Sequence, residues 1–65
     1  MKIHKVTIYR KDSVTPVVYE PVKHTWFISN GTILVISIYS DIETGEHYYV
    51  HWPINNIEWF KVEKI

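Results

Sequence analysis

The sequence predicts an all-β fold, a small antiparallel barrel of five or six strands with a 3₁₀ turn before the last strand. The chain has no alanine and is rich in β-branched and aromatic residues, a composition typical of strands. Apolar and polar residues alternate with a period of two, and turn residues recur about every 8 to 12 positions. Because a flat open sheet of this size leaves one face wet, the pattern favours a closed or nearly closed barrel.

The first segments predict one regular strand and one interrupted segment. Residues 2–10 alternate, with Val6 and Ile8 on the inner side. Pro16 and Pro21 bracket residues 17–20. Because proline has no backbone N–H to donate to a ladder, residues 17–20 are predicted to be an edge strand or an irregular loop.

Two hairpins follow. After an extended run over residues 25–29, Asn30-Gly31 predicts a two-residue type I′ turn, since both residues tolerate positive φ. Residues 32–40 return as the central strand, with apolar side chains on both faces, so both faces are expected to be partly covered. Thr44-Gly45 then predicts a second hairpin, closed by a glycine bulge.

The last two strands carry most of the candidate binding residues. Residues 47–52 alternate, with Tyr49 on the same side as His47 and His51. Residues 53–56 predict a tight or 3₁₀ turn, and residues 57–63 predict the final strand. On that strand Phe60 and Val62 share the inner face, while Trp59, Lys61 and Glu63 point away.

This order of elements resembles the small SH3-like barrel, a family that includes Sm-like variants. The residues that carry the resemblance are 48–57, Tyr-Tyr-Val-His-Trp-Pro-Ile-Asn-Asn-Ile, followed by Phe60 and Val62. It covers about the C-terminal half of the chain and implies two hairpins, a 3₁₀ turn and a closing strand. The chain lacks the acidic and aromatic loop cluster with which SH3 domains hold proline-rich peptides, so that specificity is not carried over.

The sequence is also similar to the compact accessory proteins of phages and prophages, which are very short, cysteine-free and rich in aromatic residues. This second resemblance implies a protein that binds a host protein, a nucleic acid or a signalling nucleotide.

Length and composition narrow the class further. The 65 residues predict a single domain spanning residues 1–65. The absence of cysteine favours a cytoplasmic setting, and no apolar run is long enough for a signal peptide or for the about 20 residues of a membrane span. The formal net charge is zero, which weakens any hypothesis in which phosphate attraction supplies the affinity.

The titratable residues predict neither an enzyme nor a metal or cofactor site. No nucleophile, base and carboxylate follow a catalytic spacing, and no glycine-rich loop is present. His47 and His51 would lie about 13 Å apart on one strand face, too far to share a metal ion. A cluster of histidines would instead make binding sensitive to pH between about 5 and 8.

The aromatic excess predicts the binding site. Ten of the 65 residues are Phe, Trp or Tyr, more than a core of this size holds. Exposed aromatic patches usually mark interfaces, so we predict one outer face with these binding residues: Tyr49, Trp59, His47, His51, Lys61 and Tyr39. The alternative is that these side chains cap the ends of the barrel or pack beneath the proline-bracketed loop.

Three functions are compatible with this face. The first is docking of a partner protein, or of a second copy in a homo-oligomer, with Tyr49 and Trp59 as anchors. The second is binding of a nucleotide or single-stranded nucleic acid by stacking, with Arg10, His51 and Lys61 near the phosphates. The third is a structural subunit whose edge strands pair between chains. No membrane partner is expected.

Overall fold

The computed structural model describes residues 3–65. These form β1 (His4–Arg10), β2 (Val17–Ile28), β3 (Ile33–Asp41), β4 (Glu46–Pro53), a 3₁₀ turn (Ile54–Asn56) and β5 (Ile57–Lys64). All five strands pair antiparallel in one sheet of order β4-β3-β2-β1-β5. The predicted all-β class, the antiparallel pairing and the 3₁₀ turn are confirmed. Within the described residues no ladder joins β4 to β5, so these two strands are the edges of the sheet.

Strand β2 is longer than the sequence predicts. It runs for twelve residues without a break, pairing through its first half with β1 and through its second half with β3. Residues 17–20 pair on one side only, with β1, because the ladder to β3 begins at Val22. The edge-strand alternative therefore describes this half of β2, and the irregular loop does not occur. Pro21, which follows a cis peptide bond, lies where the β1–β2 register shifts between His4 and Val6. Its missing N–H thus falls at an irregularity of the ladder, where proline is tolerated.

Both predicted hairpins are present. Asn30 and Gly31 have φ values of 57° and 76°, and the Thr32 N–H donates to the Ser29 carbonyl over 3.2 Å. Ile28 then lies opposite Ile33, which is the register that a two-residue turn imposes. Ser29 also has a positive φ, which the sequence pattern did not predict. In the β3–β4 hairpin the predicted Gly45 has a φ of 80°.

The core lies on one side of the sheet and draws on every strand. Its fully packed members are Val6, Ile8, Val22, Leu34, Ile36, Ile38 and Ile57. Val50 and Trp52 of β4 and Phe60 of β5 pack against them from the two edges. The predicted inward orientation of Val6 and Ile8 is confirmed, since neither is exposed. Burying each large aliphatic side chain of this kind contributes about 1.5–3 kcal/mol, so this cluster is the main source of stability.

A polar contact inside the fold joins two strands that are not neighbours. The Trp52 indole N–H of β4 donates to the Tyr19 hydroxyl of β2 over 3.0 Å. The bond satisfies the part-buried indole N–H of Trp52, for which the apolar side chains of the core offer no acceptor.

None of the described residues 3–65 lies in a helix with the length and apolar character needed to cross a bilayer.

Candidate functional site

Strand β3 is buried on both of its faces, as its sequence predicts. Leu34, Ile36 and Ile38 belong to the core, whereas Val35, Ser37 and Tyr39 alternate with them and are also buried. The second set therefore lies on the side of the sheet opposite the core, which we call the outer face. Something on the outer face must cover β3, because an antiparallel sheet with one core otherwise leaves that side wet.

Four rings provide the cover. His24 and Trp26 of β2 flank β3 on one side, and His47 and Tyr49 of β4 flank it on the other. The ring centroids are 4.6 Å apart for His24 and Trp26, 5.6 Å for Trp26 and Tyr49, and 5.3 Å for His47 and Tyr49. The last two pairs are nearly perpendicular, at 83° and 86°. These four residues form a continuous contact chain across three strands, which we call the ring row.

Hydrogen bonds fix the β4 end of the ring row. Nδ1 of His47 lies 2.9 Å from the carbonyl oxygen of Gly45, which can only accept, so Nδ1 carries a proton. In the neutral ring Nε2 is then the acceptor, and it lies 3.2 Å from the Tyr49 hydroxyl. With the ring in this form, the Tyr49 O–H donates to His47, and the lone pairs of the Tyr49 oxygen remain available to a ligand. This ties the hydroxyl end of the ring to its own strand.

Two of the six predicted binding residues, His47 and Tyr49, belong to the ring row, and a third, His51, lies on the same face. Tyr49 is 54% exposed, His47 is half-buried beside it, and His51 is exposed opposite Val35 in the β3–β4 register. Tyr39 also points to the outer face, but it is only 8% exposed, so it lies beneath the surface and offers little area to a partner.

The other two predicted residues, Trp59 and Lys61, belong to a separate cluster. Trp59 of β5 is 49% exposed and stacks on Tyr9 of β1, with centroids 4.0 Å apart and 12° between the ring planes. The Lys61 ammonium lies 3.7 Å from a Glu63 carboxylate oxygen on the same strand. Among residues 3–65 no ring contact connects this pair to the ring row. The single aromatic face predicted from the sequence is thus two ring clusters, because Tyr49 and Trp59 lie on the two edge strands.

Arg10, which the nucleotide hypothesis placed near phosphates, is engaged within the chain. Its guanidinium donates to the Ser13 hydroxyl over 3.0 Å and to the Thr15 carbonyl over 3.3 Å. The side chain therefore orders the loop between β1 and β2.

The charge pattern of the outer face is distinctive. The register places these residues on the outer face around the ring row: His24, Trp26, Val35, Ser37, Tyr39, His47, Tyr49 and His51. None of these positions holds Asp, Glu, Lys or Arg. Ser37 lies at their centre, opposite both His24 and Tyr49. Its hydroxyl is fully buried and has no hydrogen-bond partner within residues 3–65.

Sequence reasoning did not single out His24 and Trp26. The signal was nevertheless available in the Asn30-Gly31 turn, because a two-residue hairpin pairs Trp26 with Val35 and His24 with Ser37. Those pairs are observed. Carrying the predicted turn through to its register places both rings on the outer face.

The outer face is an open surface. The described residues 3–65 enclose no pocket, and in the same range no three acidic or histidine side chains converge in a way that would hold a metal ion. Comparison of the chain with protein-family models, with curated proteins and with solved structures found no match.

Proposed function

We propose that this chain is a non-enzymatic binding protein that docks a partner protein through the ring row on its outer face. The observation that carries the proposal is the continuous contact chain of four rings, which includes a half-exposed tyrosine held by a hydrogen bond. Tyrosine and tryptophan supply large contact areas at a low entropic cost and dominate binding energies at interfaces. The paired positions around the ring row hold no Lys or Arg, which favours a protein over a polyanion.

We further propose that the fold is an SH3-like barrel, with the sheet curled until its edges share one core. Support comes from both edge strands. Trp52 of β4 and Phe60 of β5 pack on the same buried cluster, and a single 3₁₀ turn links the two strands. The short cysteine-free chain supports a cytoplasmic accessory protein or inhibitor of the phage type, whose effect is exerted through the partner that it docks.

The chain offers a matched pair of residues for the experiment. Tyr48 and Tyr49 are adjacent on β4 and are 50% and 54% exposed, but they point to opposite faces of the sheet. Tagged wild type and the variants Tyr49→Ala, Tyr48→Ala and Trp59→Ala are used to retain proteins from the natural host extract. A protein that is lost only with Tyr49→Ala is then purified and titrated by calorimetry.

The expected result is a loss of roughly 30-fold or more in affinity for Tyr49→Ala, because anchors at an interface are worth about 2 kcal/mol or more. The Tyr48 and Trp59 variants should bind within a few-fold of wild type. A Tyr49→Arg variant removes the ring but keeps a long aliphatic stem that still covers β3. It therefore serves as a control for loss of binding that results only from loss of structure. Equal binding by all the variants would refute the proposal.

The oligomeric state decides whether the partner is a second copy. Mass measurement in solution should give a monomer for wild type. A dimer that dissociates on Tyr49→Ala would keep the ring row as the interface and make the partner another copy of this chain.

A further inference from the structure

We infer that the outer face receives a cation, the guanidinium or ammonium group of an arginine or lysine side chain in a short segment of the partner. This inference rests on the proposed function and specifies its chemistry. It follows from three properties of the face: its electrostatics, its buried hydroxyl and its size.

The electrostatics of the face are complementary to a positive charge. Aromatic rings carry negative charge on their faces and attract cations, with indole the strongest. Trp26 and Tyr49 meet at 83°, so the two rings present differently oriented surfaces to one ligand. The Tyr49 oxygen adds lone pairs, because its hydrogen is used by His47. The paired outer positions of β2, β3 and β4 around the ring row hold no Lys or Arg, and the lysine nearest in sequence is Lys23, in the β2 irregularity before His24.

Ser37 gives an independent indication. A buried hydroxyl without a partner is rare in proteins and calls for an explanation. The Ser37 hydroxyl lies in the β3 position between His24 and Tyr49, and no group within residues 3–65 fixes its hydrogen. The buried side chain does not touch a ligand at the surface, but its dipole can turn the oxygen toward a positive charge bound over the ring row. An apolar residue at this buried position would pack beneath the ring row equally well but would have no dipole to respond to the ligand.

The size of the face favours a short segment over a globular surface. Three strands about 4.8 Å apart and five residues long at about 3.3 Å each cover roughly 250 Å². A stable dimer buries about 800 Å² on each partner. The ring row alone is therefore too small for a second copy, and it matches one or two side chains of a segment.

The test uses two small probes that differ in charge and have closely similar shapes. N-acetyl-arginine amide and the neutral N-acetyl-citrulline amide are titrated into ¹⁵N-labelled full-length protein at pH 7.5 and constant ionic strength. Histidine side chains are in general mostly uncharged at this pH. The signals followed are the Trp26 indole N–H and the Tyr49 amide. Arginine amide should bind about two- to fivefold more tightly than citrulline amide, the ratio that a partly exposed cation–π contact supplies.

Two matched variants locate the site. Tyr49→Leu keeps an apolar cover over β3 but removes the ring, and it should abolish the preference for arginine amide. Tyr48→Leu makes the same change on the opposite face and should keep the preference. Ser37→Ala should weaken the binding of arginine amide while the protein remains folded.

Each contrary outcome overturns the inference. Equal binding of both probes, or a preference that persists in Tyr49→Leu, shows that no cation site exists at the ring row. A mononucleotide that shifts these two signals more than arginine amide does shows that the face takes a base instead. If a purified partner depends on Tyr49 but the probes bind equally, the docking proposal stands and only the cation chemistry fails.

Discussion

Replacing Ser37 with alanine should make this protein more stable, although Ser37 is fully buried in a central strand. Burial without a hydrogen bond costs a hydroxyl about 1–3 kcal/mol, and alanine removes that cost. Alanine is a poorer strand former than most residues, on a scale that spans about 1 kcal/mol, so part of the gain is offset. The total stability of a 65-residue domain is about 3–10 kcal/mol, which makes even 1 kcal/mol a measurable change.

Ser40→Ala isolates the hydroxyl contribution. Ser40 is on the same strand but is exposed, so its replacement carries a similar loss of strand propensity without the burial term. The free energy of unfolding of the Ser37→Ala protein should be about 1 kcal/mol higher than that of the Ser40→Ala protein. This difference corresponds to a Tm that is about 4–8 °C higher. Urea unfolding followed by tryptophan fluorescence gives the difference, provided that both variants have the same m value. If Ser37→Ala is the less stable of the two, the hydroxyl is satisfied and the reasoning fails.

Substitutions at two further positions, Tyr19 and Gly45, test a hydrogen bond inside the fold and a turn conformation. Tyr19→Phe removes the acceptor of the Trp52 indole N–H and should lower the free energy of unfolding by about 1 kcal/mol in urea, whereas an unchanged value would show that this bond contributes nothing. Gly45→Ala should lower the free energy of unfolding by about 1–2 kcal/mol in the same assay, because the backbone φ at this position is 80°. A Cβ built there would meet no atom within 4 Å, so the cost comes from the backbone conformation alone. Gly45→Asn should cost less, since asparagine adopts positive φ more readily, and an equal loss for the two would indicate a clash.

Much of the fold follows from local patterns in the sequence. Alternation placed Tyr49, His47 and His51 on one side of β4 correctly, because one face of β4 packs on the core and the other does not. The Asn30-Gly31 turn set the register of the β2–β3 hairpin. These features depend on residues close together in the chain, which is why the sequence reveals them.

Strand β2 and the division of the aromatic residues depend on long-range pairing. Pro21 indicates a strand boundary when only its neighbours are considered, yet β2 continues because its partner changes from β1 to β3 around that position. Likewise, alternation shows that Trp59 points outward but not which strand lies beside it. Trp59 stacks on Tyr9 because the β1–β5 ladder pairs the first strand with the last and places these two residues opposite each other.

The ring row covers β3, but covering this strand does not require either a half-exposed tyrosine or a buried hydroxyl without a partner. Aliphatic side chains would shield Val35 without leaving a half-exposed tyrosine, and an apolar residue in place of Ser37 would avoid a buried unpartnered hydroxyl. The buried unpartnered hydroxyl opposes stability, and residues that do so are expected at functional sites. A role in cover alone predicts that Ser37→Ala changes stability and leaves arginine amide binding unaltered. A binding role predicts opposite signs, a more stable protein that binds the cation less well, so measuring both quantities on this one variant separates the two explanations.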